Sequence, residues 1–303
     1  MRFHEDVRHC VAFIGQGTED DWRALGTCFF VSYKGCRYVV TARHVAEPLG
    51  DDPFVIRINH QNGKDSIGLE LDLVNPRTHK AFRWHVHNDE TVDIAVMPAN
   101  LPIKSMGGDT MTIPEEMFAT EDNLQDVHIG VGDVCYAVGL FRLMTGRTRN
   151  LPFVHTGHIG LMAGEEKIPV RNWRRGPSEP ATLYVDGYLC ELTSLEGLSG
   201  SPVFVRPSLD ITGMPLPGNP GVRVAYTEVM LLGVWQSAWE GEPDEIVVAR
   251  GAGLKVPVGV GSVAPVQRLI EILEQPSAVE HREDYLERKR QANASKPDGE
   301  PKA

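Results

Sequence analysis

The chain has 303 residues, 42% of them hydrophobic, and a formal net charge of -11. That apolar share is enough to bury a core, which excludes global disorder, and the acidic balance excludes nucleic acid, whose phosphates call for clustered Lys and Arg. No uncharged apolar run reaches the roughly 20 residues needed to span a bilayer, and residues 1–9 alternate charges where a signal peptide needs an apolar centre; the expectation is a cytoplasmic protein without a membrane partner.

In chain order, short β-branched or aromatic runs alternate with turn residues, which predicts strands. Residues 27–33 end at Lys34-Gly35 and lead into 37–41 as a hairpin. Residues 54–59 and 67–73 flank Asn62-Gly63, a hairpin signal because both turn positions tolerate positive φ. Further strands are expected at 131–138, 153–161, 182–192, 203–205, 222–237 and 245–248. Helical spacing is convincing only over 263–274, where Val266, Leu269, Ile270 and Leu273 share a face and Pro276 closes the segment. Residues 277–303 read as a polar, flexible tail whose first part can continue as helix. The Pro- and Gly-rich segments 164–180 and 206–221 read as long loops able to shape a cleft. The acidic stretch 115–126 suggests a division at residue 120, into 1–120 and 121–276. The five cysteines are odd in number and scattered, so they read as buried reduced thiols rather than a disulfide framework.

Three motifs carry chemistry. Thr41-Ala42-Arg43-His44-Val45 follows the apolar run Tyr38-Val39-Val40, and Val92-Asp93-Ile94-Ala95-Val96 comes next. Glu196-Gly197-Leu198-Ser199-Gly200-Ser201-Pro202 then enters a strand-like run, Val203-Phe204-Val205. Taken singly, each has an ordinary structural explanation: a serine in a glycine turn, a histidine beside a strand, an aspartate opening an apolar run. Taken together they supply a nucleophile, a base and an orienter for acyl transfer. The order His–Asp–Ser belongs to the two-barrel type, whereas an α/β-hydrolase elbow needs Gly-x-Ser-x-Gly and Ser199 is followed by Gly-Ser.

With Gly26-Thr27-Cys28-Phe29-Phe30-Val31 and Gly233-Val234 added, residues 26–264 resemble the chymotrypsin-like (trypsin-fold) serine proteases. The likeness is to the bacterial branch that includes glutamyl endopeptidases and high-temperature-requirement proteases. It implies an all-β fold of two six-stranded Greek-key β-barrels with a C-terminal helix. His44 and Asp93 would lie in the first barrel and Ser199 in the second. Ser199 would attack the scissile carbonyl, His44 would relay its proton, and Asp93 would hold the imidazole. The backbone amides of Gly197 and Ser199 would form the oxyanion hole. The primary pocket would be lined by Thr193, Ser194, Val234, Trp235, Gln236 and Ser237. None is acidic, which disfavours Lys or Arg; Trp235 points to small or medium apolar residues.

Three departures from the family pattern matter. Leu198 stands where digestive relatives carry the aspartate that pairs with a newly cut N-terminus, which excludes that activation route. Val45 replaces the cysteine of secreted relatives, and Cys28 replaces a glycine general in bacterial ones. No cofactor and no metal is expected: His85-Val86-His87 offers two imidazoles without a third ligand and reads as a solvated strand edge. The expected partner is a peptide or protein substrate. Two other readings stay open, a catalytically silent peptide-binding scaffold and a latent effector protease activated by a protein partner.

Overall fold

The computed structural model describes residues 5–17, 22–50, 53–71, 84–173, 180, 182–192, 197–207, 214–216, 219–224, 229–241 and 256–294. The first sheet contains β1 (Val11–Gln16), β2 (Arg23–Tyr33), β3 (Cys36–Thr41), β4 (Phe54–Asn59), β5 (Ser66–Leu71), β6 (His85–Val86), β7 (Ala95–Pro98) and β8 (Ile113–Pro114). Their order is β5-β4-β1-β2-β3-β7-β6, with β8 pairing in parallel with β2. Phe54 at the start of β4 stacks on Trp84 just before β6, with ring centroids 5.7 Å apart, so the sheet curls and brings its two sides into contact.

The second unit contains β9 (Val134–Gly139), β10 (Phe153–Leu161), β11 (Ile168–Arg171), β12 (Thr182–Val185), β13 (Tyr188–Cys190), β14 (Pro202–Arg206), β15 (Met214–Leu216), β16 (Asn219–Val224), β17 (Met230–Gly241) and β18 (Val256–Pro265). Six of these close into a barrel in the order β10-β13-β18-β17-β14-β9. β11 with β12, and β15 with β16, form separate two-stranded hairpins.

The apolar runs of β2 and β3 follow from this architecture. Cys28 and Phe30 face the core enclosed by the first sheet, together with Val39, Ile56 and Met97. Their neighbours Phe29 and Val31 face the other way, into a layer shared with Tyr136, Phe204 and Leu231 of the second unit. A strand buried on both faces has no polar side to show, so it reads as a continuous apolar run. β4 faces the core on one side only, and its buried residues Phe54, Ile56 and Ile58 alternate with half-buried ones. β1 escaped the strand pattern for the first reason: Val11, Ala12, Phe13 and Ile14 are all buried.

The first part of the expected tail continues as helix, and it is packed rather than flexible; residues 295–303 lie outside the described residues. After α1 (Arg43–Ala46) and α2 (Glu121–Asp126), α3 (Val266–Leu273) buries Val266, Leu269, Ile272 and Leu273, and α4 (Pro276–Ala294) follows at once. α3 ends before Pro276, as expected, and Pro276 also opens the second helix, where its missing N–H costs nothing. Arg282 of α4 is only 6% exposed, donates to the Leu273 carbonyl (2.9 Å) and to Glu274 (3.2 Å), and lies over the Tyr33 ring. His85 and His87 are not a solvated edge either. His85 is buried, 3.1 Å from both Ser277 Oγ and His281 Nδ1, while His87 meets Glu271 at 2.9 Å. Burial first, and His281 second, push the His85 pKa down to about 4, so this imidazole sits neutral against the helix.

The segments 164–180 and 206–221 are not loops throughout, since they contain β11, β15 and the start of β16. The expected strand at 245–248 lies outside the described residues. All five cysteines are free and buried. Among the described residues no helix is long and apolar enough to cross a membrane.

Candidate active site

β3 and β7 run antiparallel with Thr41 opposite Ala95. The chain leaving β3 toward His44 therefore passes the chain entering β7 at Asp93. Ala42 is extended, and its carbonyl accepts the N–H groups of Val45 (3.0 Å) and Ala46 (3.1 Å). One helical turn forms, held down by the buried Val45 and Ala46, and His44 occupies its second position. Asp93 is fully buried, and both of its oxygens are engaged by the same residue. Its Oδ1 accepts the His44 backbone N–H at 2.9 Å and its Oδ2 lies 2.6 Å from His44 Nδ1. A carboxylate only accepts, so Nδ1 carries the proton and Nε2 of the neutral ring is left as the acceptor.

Two opposed effects set the His44 pKa. Burial lowers it, but the Asp93 charge and hydrogen bond, helped by Glu47, outweigh burial and leave it raised from 6.5. A protonated His44 would thus be held by Asp93, as a base that must briefly carry a proton requires.

The Ser199 turn reaches this pair through glycines. Ser201 donates to the Leu198 carbonyl (2.8 Å), closing a tight turn, and Gly200 donates to the Trp235 carbonyl (3.1 Å). Gly200 has φ 83°, and a Cβ there would collide with Thr27 O and Thr41 Oγ1 and lie 2.7 Å from Ala42 N. The turn is therefore pressed onto the segment that leads to His44. At Gly26 a Cβ would lie 2.9 Å from Val45 Cγ2 and 3.0 Å from Ser199 O, so the chains carrying His44 and Ser199 converge on β2. Leu198 is fully buried in the second barrel's core, where it anchors the turn by packing.

The chemical inventory is a neutral base with an orienter, and a hydroxyl on a glycine turn. Gly197 has φ 101°, and among the described residues neither its N–H nor that of Ser199 donates a hydrogen bond. Among the same residues no hydrogen bond joins Ser199 Oγ to His44. No group of three or more metal-ligating side chains occurs among the described residues.

The expected pocket residues divide. Thr193 and Ser194 lie outside the described residues. The Val234 side chain is buried in the layer between the units, and the Trp235 indole fills the second barrel against Gly261. Gln236 is buried at a register shift between β17 and β18, and the Ser237 hydroxyl lies 3.0 Å from Ser262 Oγ. Cys28 faces the first core rather than the cleft, and burial pushes its thiol pKa up. Thr27, which has no part in the expected constellation, turns out to bind the Ser199 turn to the first sheet, and the Thr41 hydroxyl in turn donates to the Thr27 carbonyl. In the sequence both stand inside the motifs as polar residues among apolar ones, with nothing local to name their partners.

No protein-family model matches the chain, and no curated protein matches it in sequence. Among solved structures it is similar to the apo MamO protease domain from Magnetospirillum magneticum, with 14% identity and a TM-score of 0.50 over 90% of this chain and 100% of that one. It also aligns with the HtrA-type protease AlgW bound to a decapeptide, at 17% identity and a TM-score of 0.46, over 90% of this chain and 65% of that one. The active form of the Rv3671c protease from M. tuberculosis aligns at 18% identity and a TM-score of 0.42, over 88% of this chain and 80% of that one. The closed six-stranded barrel, the C-terminal helices and the similarity to MamO give the chain the trypsin-like serine-protease fold.

Proposed function

We propose that the chain is a serine endopeptidase acting through an acyl-enzyme, with Ser199 as nucleophile, His44 as general base and then acid, and Asp93 as orienter. The observation that carries this reading is the His44–Asp93 pair, with contacts of 2.6 and 2.9 Å, on the segment against which the Ser199 turn is pressed. Ser199 Oγ would bond to the scissile carbonyl carbon while its proton passes to His44 Nε2. The oxyanion would be received by the N–H groups of Gly197 and Ser199, and the imidazolium would then protonate the leaving amine. The domain division belongs to the same proposal: residues 1–120 carry the base and orienter, 121–276 the nucleophile.

A peptide or protein is the substrate class in this reading. Small or medium apolar side chains before the scissile bond remain part of this reading, although the Trp235 indole is buried in the barrel core and lines no cleft. The cytoplasmic expectation rests on the five buried, unpaired thiols. One observation favours a second reading, a latent enzyme that a partner completes: the Ser199 hydroxyl makes no hydrogen bond to His44 among the described residues.

A fluorophosphonate probe tests the proposal. Ser199 Oγ should bond to phosphorus as the P–F bond breaks, fluoride leaves and His44 takes the proton. Labelling of the wild type and none of Ser199→Ala is the expected result; an unlabelled wild type removes the constitutively active enzyme. The pH dependence gives a second check. The base works neutral and its pKa is raised, so labelling should fall as pH drops through a midpoint above 6.5. A midpoint below that value would mean that burial outweighs the stabilisation of the imidazolium by Asp93.

A further inference from the structure

We propose that Thr27 is a positioning residue of this site: its hydroxyl holds the Gly197 carbonyl and thereby the Ser199 amide that would receive the substrate's oxyanion. The inference rests on the hydrolytic reading above. Thr27 is fully buried on β2. Its Oγ1 accepts the Leu140 N–H at 2.7 Å and donates to the Gly197 carbonyl at 2.9 Å. A hydroxyl has one proton, Leu140 offers only a donor and Gly197 only an acceptor, so that proton is committed to Gly197.

The backbone of the same residue completes the arrangement. Thr27 N–H donates to the Ser199 carbonyl at 3.0 Å, and Thr27 O accepts the Thr41 hydroxyl at 2.7 Å. The carbonyls of residues 197 and 199 are therefore both tied to Thr27, and the peptide between them carries the Ser199 N–H. The hydroxyl bond fixes the peptide that joins Gly197 to Leu198, and so the chain that carries the Ser199 N–H. Thr41 passes the restraint on to the chain that leads to His44, two residues past Ala42.

Replacing the hydroxyl by a methyl group of the same shape, in Thr27→Val, keeps the packing and leaves the Leu140 N–H and Gly197 C=O without this partner. Saturation kinetics of fluorophosphonate labelling should show kinact falling about 10- to 100-fold, the scale of a small misplacement of reacting groups. KI, the pH midpoint and the labelled fraction at saturation should stay at wild-type values, and Thr27→Ser should recover most of kinact. A wild-type kinact in Thr27→Val, a loss lying in KI or in the labelled fraction, or no recovery with serine would overturn the assignment. A wild type that itself fails to label removes the hydrolytic reading and Thr27's role with it; a labelled wild type with an equally fast Thr27→Val removes Thr27 alone.

Discussion

Asp93→Asn is expected to lower turnover by about four orders of magnitude while leaving the fold intact, as for the matching substitution in chymotrypsin-type enzymes. The physical reason lies in the two contacts of this carboxylate. Oδ1 takes the His44 backbone N–H and Oδ2 takes the Nδ1 proton. An asparagine can keep the first contact with its carbonyl oxygen, which preserves the local chain path. Its NH2 group then faces Nδ1 and asks it to accept, so the ring proton moves to Nε2, the atom that must take the Ser199 proton. The base is present but in the wrong tautomer. Peptide hydrolysis rates, with circular dichroism to verify folding, check this; a loss of only a few-fold would remove Asp93 from the orienting role.

Gly200→Ala is the second large effect, on stability rather than rate. Two costs add at this position. The residue sits at φ 83°, where an L side chain is strained by about 1–2 kcal/mol, and the new Cβ meets Thr27 O, Thr41 Oγ1 and Ala42 N. Overpacking against backbone adds about 1–3 kcal/mol. Gly63 is the control, because it has φ 69° but nothing within 4 Å of a Cβ. Urea unfolding should therefore show a loss of about 3 kcal/mol or more for Gly200→Ala and only about 1–2 kcal/mol for Gly63→Ala. Equal losses would mean that the Ser199 turn is not pressed against the chain leading to His44.

How far this was readable in advance depended on whether a feature is local. The hairpin around Asn62-Gly63 lies between β4 and β5 as expected, but only Gly63 takes a positive φ, at the end of a turn closed by its N–H on the His60 carbonyl. The α3 face of Val266, Leu269 and Leu273 was visible in 3.6-residue spacing, since one side of that helix is buried. α4 was not visible as a packed element. It is polar along most of its length, and its docked face of Ala278, Arg282, Tyr285 and Leu286 puts a charged residue in the middle of a short apolar set, which breaks the stripe. β1, buried throughout, likewise had no alternation to announce it.

The sequence by itself determined the identity and order of His44, Asp93 and Ser199, the glycines around the turn, and a chain rich in strands. These depend on residue type, neighbours and spacing, and every one of them is written locally. Tertiary structure alone decided that Asp93 would meet His44, because that contact follows from the β3–β7 register across 49 positions. It alone decided that Trp235 would turn into the barrel against Gly261, and that Thr27 would hold Gly197 from 170 positions away. A buried hydroxyl takes whichever partner the packed sheets bring to it, and only the completed register of both units fixes which one arrives.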